Sequence, residues 1–74
     1  MKTKDKKIIE DAERENIPIF VFTAKDILSC RTLKYYALEC LENCSIKHTI
    51  SVLERYQEFM DWQIKNSKQI KYPD

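Results

Sequence analysis

One apolar segment, residues 17–23, constrains the fold more than any other part of the chain. It reads Ile-Pro-Ile-Phe-Val-Phe-Thr, and β-branched and aromatic residues of this kind favour a β-strand. Its side chains alternate between two apolar faces, formed by Ile17, Ile19 and Val21 and by Phe20 and Phe22. A lone strand cannot pair its own backbone donors and acceptors. Since residues 68–72 offer only a weak partner, we expect the strand to pair with a second copy of the chain or with another protein.

The rest of the sequence predicts helices. Residues 4–15 form a short charged pattern that ends at Asn16 and Pro18, because the residue before a proline is pushed out of the helical region. The chain contains no glycine, so any tight turn with a positive φ must use an asparagine or aspartate, such as Asn16 or Asn43.

Two further helices are expected to form an αα-hairpin. The first has Ser29 as its N-cap, after a connecting turn at residues 24–28, and the second has Ser45 as its N-cap. The apolar stripe of the first helix consists of Cys30, Leu33, Ala37, Cys40, Leu41 and Cys44. The apolar face of the second helix consists of Ile46, Ile50, Leu53, Tyr56, Met60 and Ile64, and it is flanked by Val52 and Phe59.

The expected fold is therefore α+β but predominantly helical: a short helix, one strand and an αα-hairpin, with the strand paired between subunits. Residues 1–74 would form a single small domain, with 1–3 and 67–74 as candidate flexible ends. A chain of 74 residues buries only about 60% of the surface that its unfolded form exposes, so its core is marginal without a partner.

Charge and cysteine content narrow the function classes. The formal net charge is +1, with basic ends and an acidic body, and we interpret the ends as solvated termini rather than as a nucleic-acid surface. No apolar run approaches the roughly 20 residues of a membrane span, and no secretory signal is apparent. Three cysteines without a secretory context indicate reduced thiols in a cytoplasm.

Two cysteine patterns are candidates for a metal site and for a catalytic nucleophile. Cys40, Cys44 and His48 are spaced by four, as zinc ligands could be. However, the cysteines lie in an apolar stripe, the histidine falls on the polar face of its helix, and no fourth ligand is apparent, so no metal and no other cofactor is expected. Cys30 near a helix start could be a nucleophile, but no Cys-x-x-Cys or Cys–His pair accompanies it. We therefore expect three reduced, buried cysteines and no enzymatic activity.

Aromatic residues outside the apolar stripes point to an interface. Tyr35 and Trp62 lie on polar helix faces, and exposed tyrosine and tryptophan are enriched where proteins bind each other. The alternative is that the first helix or the C-terminal tail covers Trp62 within the monomer. The expected interface residues are Ile19, Phe20, Val21, Phe22, Tyr35 and Trp62.

Residues 17–26, the segment Tyr36-Ala-Leu-Glu-Cys40, the segment Phe59-Met-Asp-Trp-Gln63 and the closing Tyr72-Pro-Asp resemble a group of small uncharacterised proteins from Bacteroides-type gut bacteria and their phages. The resemblance covers about residues 8–74. It implies a bacterial or phage cytoplasm and carries no activity with it.

The sequence thus favours a non-enzymatic, self-associating interaction or structural module, with itself and another protein as partners, no membrane, and no expected nucleic acid. The alternative is a protein that binds a small ligand or nucleotide between subunits, as a counter-defence sponge would. Weak nucleic-acid binding through the basic ends is a third possibility.

Overall fold

The computed structural model describes residues 3–73, most of which are helical. The helices are α1 at Thr3–Arg14, α2 at Ser29–Asn43 and α3 at Ile46–Lys65, followed by a 3-10 turn at Ser67–Gln69. The predicted predominance of helix and the αα-hairpin are confirmed. Over the described range, every helix is too short or too polar to cross a membrane.

Asn16 ends the first helix in the way that the lack of glycine predicts. Its φ of 56° is left-handed. Its N–H donates to the carbonyl of Glu13 (3.3 Å), and the N–H of Ile17 donates to the carbonyl of Ala12 (2.9 Å). These two bonds form a Schellman motif, which normally places glycine or asparagine at the left-handed position. The same expectation for Asn43 is wrong, because among residues 3–73 only Asn16 has a positive φ outside glycine.

Residues 17–23, called the extended segment below, do not form a strand. Residues 18–22 take part in no backbone–backbone hydrogen bond with any described residue. The α+β class is therefore not supported within residues 3–73, and pairing between subunits stays a prediction. The physical reason is that the other candidate strand, the C-terminal tail, is directed elsewhere by α3 and the 3-10 turn.

The tail pairs with the loop before α2. The N–H of Ile27 donates to the carbonyl of Lys71 (2.9 Å), and the N–H of Lys71 donates to the carbonyl of Lys25 (3.0 Å). These bonds make one isolated parallel bridge between Asp26 and Lys71. Gln63 of α3 fastens the same loop, because its Nε2 donates to the carbonyls of Ala24 (3.0 Å) and Asp26 (3.2 Å).

The two helix starts of the hairpin are built differently. Ser45 caps α3 as predicted, since its Oγ accepts from the N–H of His48 (3.1 Å). Ser29 is not the N-cap of α2; it is the first helical residue, is buried, and donates its hydroxyl to the carbonyl of Asp26 (2.7 Å). Asp26 provides the turn instead, because its Oδ1 accepts from the N–H of Leu28 (2.8 Å).

The helices of the hairpin meet through small side chains. The buried residues of this contact are Ala37, Cys40, Thr49 and Val52. The predicted face of α3 is therefore wrong for its four aliphatic members, because Ile46, Ile50, Leu53 and Ile64 are exposed, whereas Val52, predicted at the edge of that face, is buried. Small residues allow two helices to approach closely, so the bulky aliphatic residues turn aside.

The cysteines also differ from the expectation. Cys40 is buried at 2% exposure, Cys30 is half-buried and Cys44 is exposed. Leu41, another member of the predicted stripe, is exposed as well. The contact face of α2 is thus narrower than its hydrophobic pattern indicates.

The chain exposes far more surface than a monomer of its size needs. Its accessible surface is 6460 Å², against about 4,800 Å² expected from the scaling of folded monomers. Its radius of gyration is 13.5 Å, against about 11 Å for a compact domain of this length. The buried apolar residues are small and few: Ala12, Ala37, Cys40 and Val52. Most large apolar side chains of this chain are left without full cover.

Candidate functional site

One side of the αα-hairpin presents a row of exposed aliphatic side chains. On α3, Ile46, Ile50 and Leu53 follow one another at steps of four and three residues, and Ile64 lies eleven residues further on. All four lie about 100–160° around the helix from the buried Val52. Ile46 is 79% exposed and Ile64 is 72% exposed. Because α2 and α3 are antiparallel, the exposed leucines of α2 project from the same side. We call this set the hairpin surface; it consists of Leu38, Leu41, Ile46, Ile50, Leu53 and Ile64.

The opposite side of the hairpin is covered by the N-terminal part of the chain. Arg55 lies on that side of α3, and its Nη2 bonds Asp5 Oδ2 of α1 at 2.9 Å. The ring of Phe22 meets the ring of Phe59 edge-on, with 6.0 Å between centroids. α1 and the extended segment therefore pack away from the hairpin surface.

The extended segment is a second exposed apolar feature. Phe20 is 84% exposed, and Ile19 and Val21 are also exposed. Phe22 is different: it is half-buried and contacts Phe59 as well as Phe20. Three of the four residues predicted here thus face solvent, and the fourth anchors the segment to α3.

The two aromatic residues predicted at an interface lie apart. Tyr35 is exposed on α2. Trp62 is half-buried on α3, two turns beyond Arg55 and on the same side as that residue. The position of Trp62 fits the alternative reading, in which other parts of the monomer cover it. The structure does not bring Tyr35 and Trp62 together with the extended segment in one site.

A cleft of about 430 Å³ lies between α1, the extended segment and the hairpin. Most of its wall is apolar and comes from Ile8, Ile9, Phe20, Val21, Phe22, Leu33 and Phe59. Its polar members include Asp5 and Arg55, which pair with each other, and Arg55 also lies 3.8 Å from Glu58. The cationic charge of the cleft is therefore already compensated.

The end of the hairpin brings together three side chains that could bind a metal ion. Ligand atoms of Cys40, Cys44 and His48 all lie within 4.8 Å of one another. Cys40 is in the last turn of α2, Cys44 is the C-cap of that helix, and His48 is in the first turn of α3. His48 lies exposed on the face of α3 opposite Ile50, as the sequence predicts. A connection of only two residues folds the start of α3 beside the end of α2, so this face lies next to Cys40 and Cys44.

Burial and neighbouring groups raise the pKa values of the Cys40 thiol and the Tyr36 hydroxyl. Burial raises the pKa of Cys40, and a hydrogen bond with Cys44 raises it further, while a hydrogen bond from Tyr36 opposes both effects. The pKa of Tyr36 is also raised, chiefly because a charged Cys40 would lie beside its phenolate. The Tyr36 ring stands edge-on to His48, with centroids 6.3 Å apart.

Cys30 lies at the start of α2, outside this cluster. Burial raises the pKa of its thiol, which is the opposite of what a nucleophilic cysteine at a helix N-terminus requires. The raised pKa favours the interpretation that Cys30 is a structural cysteine and not a nucleophile.

Sequence reasoning missed the hairpin surface, although the four- and three-residue steps of Ile46, Ile50 and Leu53 were visible. Such steps are typical of a core-facing helix, and the hydrophobic pattern alone cannot show that a narrower face of small residues is buried in their place. Comparisons of this chain with protein-family models, curated proteins and solved structures find no match.

Proposed function

We propose that this protein is a non-enzymatic interaction module that associates with a second copy of itself through the hairpin surface. The observation that carries the proposal is the row of exposed aliphatic residues on α3, on the side that α1 leaves free. Such a row at steps of three and four residues is the pattern by which helices pack against helices. Two hairpins packed through these faces would form a four-helix arrangement.

The accessible surface area of the chain is large enough to include an interface with a second copy. The accessible surface exceeds the monomer expectation by about 1,600 Å², whereas a stable interface typically buries about 800 Å² on each partner. A two-fold dimer is the commonest closed assembly, and it buries the same patch on both chains. The setting would be a bacterial or phage cytoplasm, in line with the resemblance described above.

The extended segment supports a second contact. Residues 18–22 form no backbone–backbone hydrogen bonds with the described chain, and Ile19, Phe20 and Val21 are exposed. Two antiparallel copies of residues 19–22 would satisfy a two-fold axis, with Pro18 limiting the pairing at one end. If the chain uses both contacts, the assembly is larger than a dimer. If it uses one contact, the other face is left for another protein.

Binding of a small ligand is the second candidate function, and the cleft of about 430 Å³ favours it. Because its wall is mostly apolar and Arg55 is paired with Asp5, an apolar ligand fits the cleft better than a nucleotide does. Native mass spectrometry of protein purified from its own host would reveal such a ligand as a mass added to each chain or each dimer.

Sedimentation equilibrium of the full chain tests self-association, and Leu53→Ala tests the surface. Leu53 is 45% exposed in the monomer, so burying the rest of its side chain contributes about 1 kcal/mol per chain. A two-fold dimer loses this contribution twice, and about 2 kcal/mol corresponds to a dissociation constant roughly 30-fold higher. Glu54→Ala, at the neighbouring exposed position, should leave the constant unchanged.

Phe20→Ala and Val21→Pro separate the two proposed contacts. If the hairpin surface forms the dimer, both variants remain dimeric. The assembly larger than a dimer, which needs the extended segment, is then the only species that they can lose. A dimer that survives Leu53→Ala unchanged but dissociates with Val21→Pro would show that the extended segment makes the contact. A wild-type chain that stays monomeric at high micromolar concentration would contradict the proposal.

A further inference from the structure

We propose that Cys40, Cys44 and His48 form a zinc-binding site at the end of the hairpin, with the fourth coordination position open to solvent. Neither the interaction surface nor the cleft uses these three side chains, so the site is independent of self-association.

The distances are close to those of a coordinated ion. The three ligand atoms lie within 4.8 Å of one another. Zinc binds cysteine sulfur at about 2.3 Å and histidine nitrogen at about 2.0–2.1 Å, which places tetrahedral ligand atoms somewhat less than 4 Å apart. A small rotation of the side chains closes this difference. Cys44 and His48 are exposed, so they can rotate and an ion can reach them from solvent.

The backbone holds the three positions in place. The N–H of Cys44 donates to the carbonyl of Cys40 (2.8 Å), which fixes the end of α2. The N–H of His48 donates to Ser45 Oγ (3.1 Å), which fixes the first turn of α3. Both helix ends are thus defined by local hydrogen bonds, and the site does not depend on a long loop becoming ordered.

The chemistry of the donors selects the ion. Two thiolates and a neutral imidazole balance the charge of one divalent cation, and thiolate sulfur with imidazole nitrogen is a preferred set for zinc. The C-terminal end of α2 adds carbonyl dipoles that favour a cation. Tyr36, which hydrogen-bonds to Cys40, would serve as an outer partner of a ligand. With three protein ligands, the fourth position is left to water.

Cobalt(II) titration of the full chain under reducing conditions tests the site, since cobalt reports tetrahedral thiolate coordination by visible d–d bands and an ultraviolet charge-transfer band. We expect one cobalt per chain, displaced by one equivalent of zinc. Cys44→Ser and His48→Gln change exposed side chains, so both should keep the helical circular dichroism signal. Each should weaken cobalt binding by more than about 100-fold, beyond the loss that outer partners typically cause.

Cys30→Ser is the matched control, because Cys30 is the remaining cysteine and lies at the other end of α2. It should bind cobalt as the wild type does. The proposal is overturned if the wild type shows no tetrahedral cobalt spectrum. It is equally overturned if the Cys44 and His48 variants bind as tightly as the wild type, or if Cys30→Ser abolishes binding.

Discussion

Replacement of Gln63 by methionine tests whether one side chain holds the loop before α2 against α3. Gln63 Nε2 donates to the carbonyls of Ala24 (3.0 Å) and Asp26 (3.2 Å) and lies 3.4 Å from Ser29 Oγ. Ala24 and Asp26 belong to the loop before α2, and Ser29 is the first residue of that helix. Methionine keeps the length and approximate volume of glutamine but has no donor.

The expected loss in the free energy of unfolding depends on which hydrogen-bond donors each carbonyl keeps when Gln63 becomes methionine. The carbonyl of Asp26 still accepts from the N–H and the hydroxyl of Ser29, at 3.0 and 2.7 Å, so it remains satisfied. The carbonyl of Ala24 loses the side-chain donor that bonds it. One to two neutral hydrogen bonds are therefore lost, at a central value of about 1 kcal/mol each, which gives about 1–2 kcal/mol. For a domain of this size, that lowers Tm by roughly 5–15 °C.

Thermal unfolding followed by circular dichroism, at one fixed protein concentration, measures the effect. Gln69→Met is the matched control, because Gln69 is exposed and its Nε2 bonds the side-chain oxygen of Asn66 (3.3 Å) and not the loop before α2. We expect that control to change the free energy of unfolding by a few tenths of a kcal/mol. Equal Tm shifts for the two variants would refute the reasoning, because the contact with the loop would then contribute nothing beyond a surface hydrogen bond.

Three further predictions address other parts of the chain. Asn16→Ala should destabilise the fold by about 1 kcal/mol in urea unfolding, while Asn16→Gly stays within a few tenths, because alanine tolerates the left-handed φ of 56° poorly. Peptide mapping after iodoacetamide treatment should show the exposed Cys44 reacting faster than Cys30. Since burial raises the pKa of Cys30 from 9.0, the alkylation rate of Cys30 should still rise at pH values where a free thiol has reached its plateau. Asp5→Asn removes the partly exposed ion pair with Arg55, so we expect a loss below about 1 kcal/mol and faster amide hydrogen exchange in α1 but not in α3. Unchanged exchange in α1 would mean that this pair does not fasten the helix.

Signals that act within a few residues made much of the secondary structure predictable. The asparagine and proline after α1 predict where it ends, because the left-handed turn and the restriction before proline are properties of the local backbone. The cap at Ser45 is equally local, since a serine oxygen bonds an N–H three residues away. The β-branched and aromatic residues at 17–23 also indicated an extended segment, although residues 18–22 form no strand hydrogen bonds with residues 3–73.

Tertiary structure decided which faces meet. Ile50 and Leu53 are as hydrophobic as any core residue, but close approach of α2 buried Thr49 and Val52 of α3 instead. The hydrophobic period cannot choose between overlapping faces of one helix.

The hairpin-end cluster and the pairing of the tail depend on tertiary structure in the same way. His48 approaches Cys40 because two helices fold back on each other, and Lys71 reaches residues 25–27 because α3 delivers it there. The sequence by itself determined that the chain is mainly helical, where α1 ends and where α3 begins, and which residues could be buried. The arrangement of the helices decided which of those residues are buried and which are left exposed, because burial depends on neighbours that lie far away along the chain.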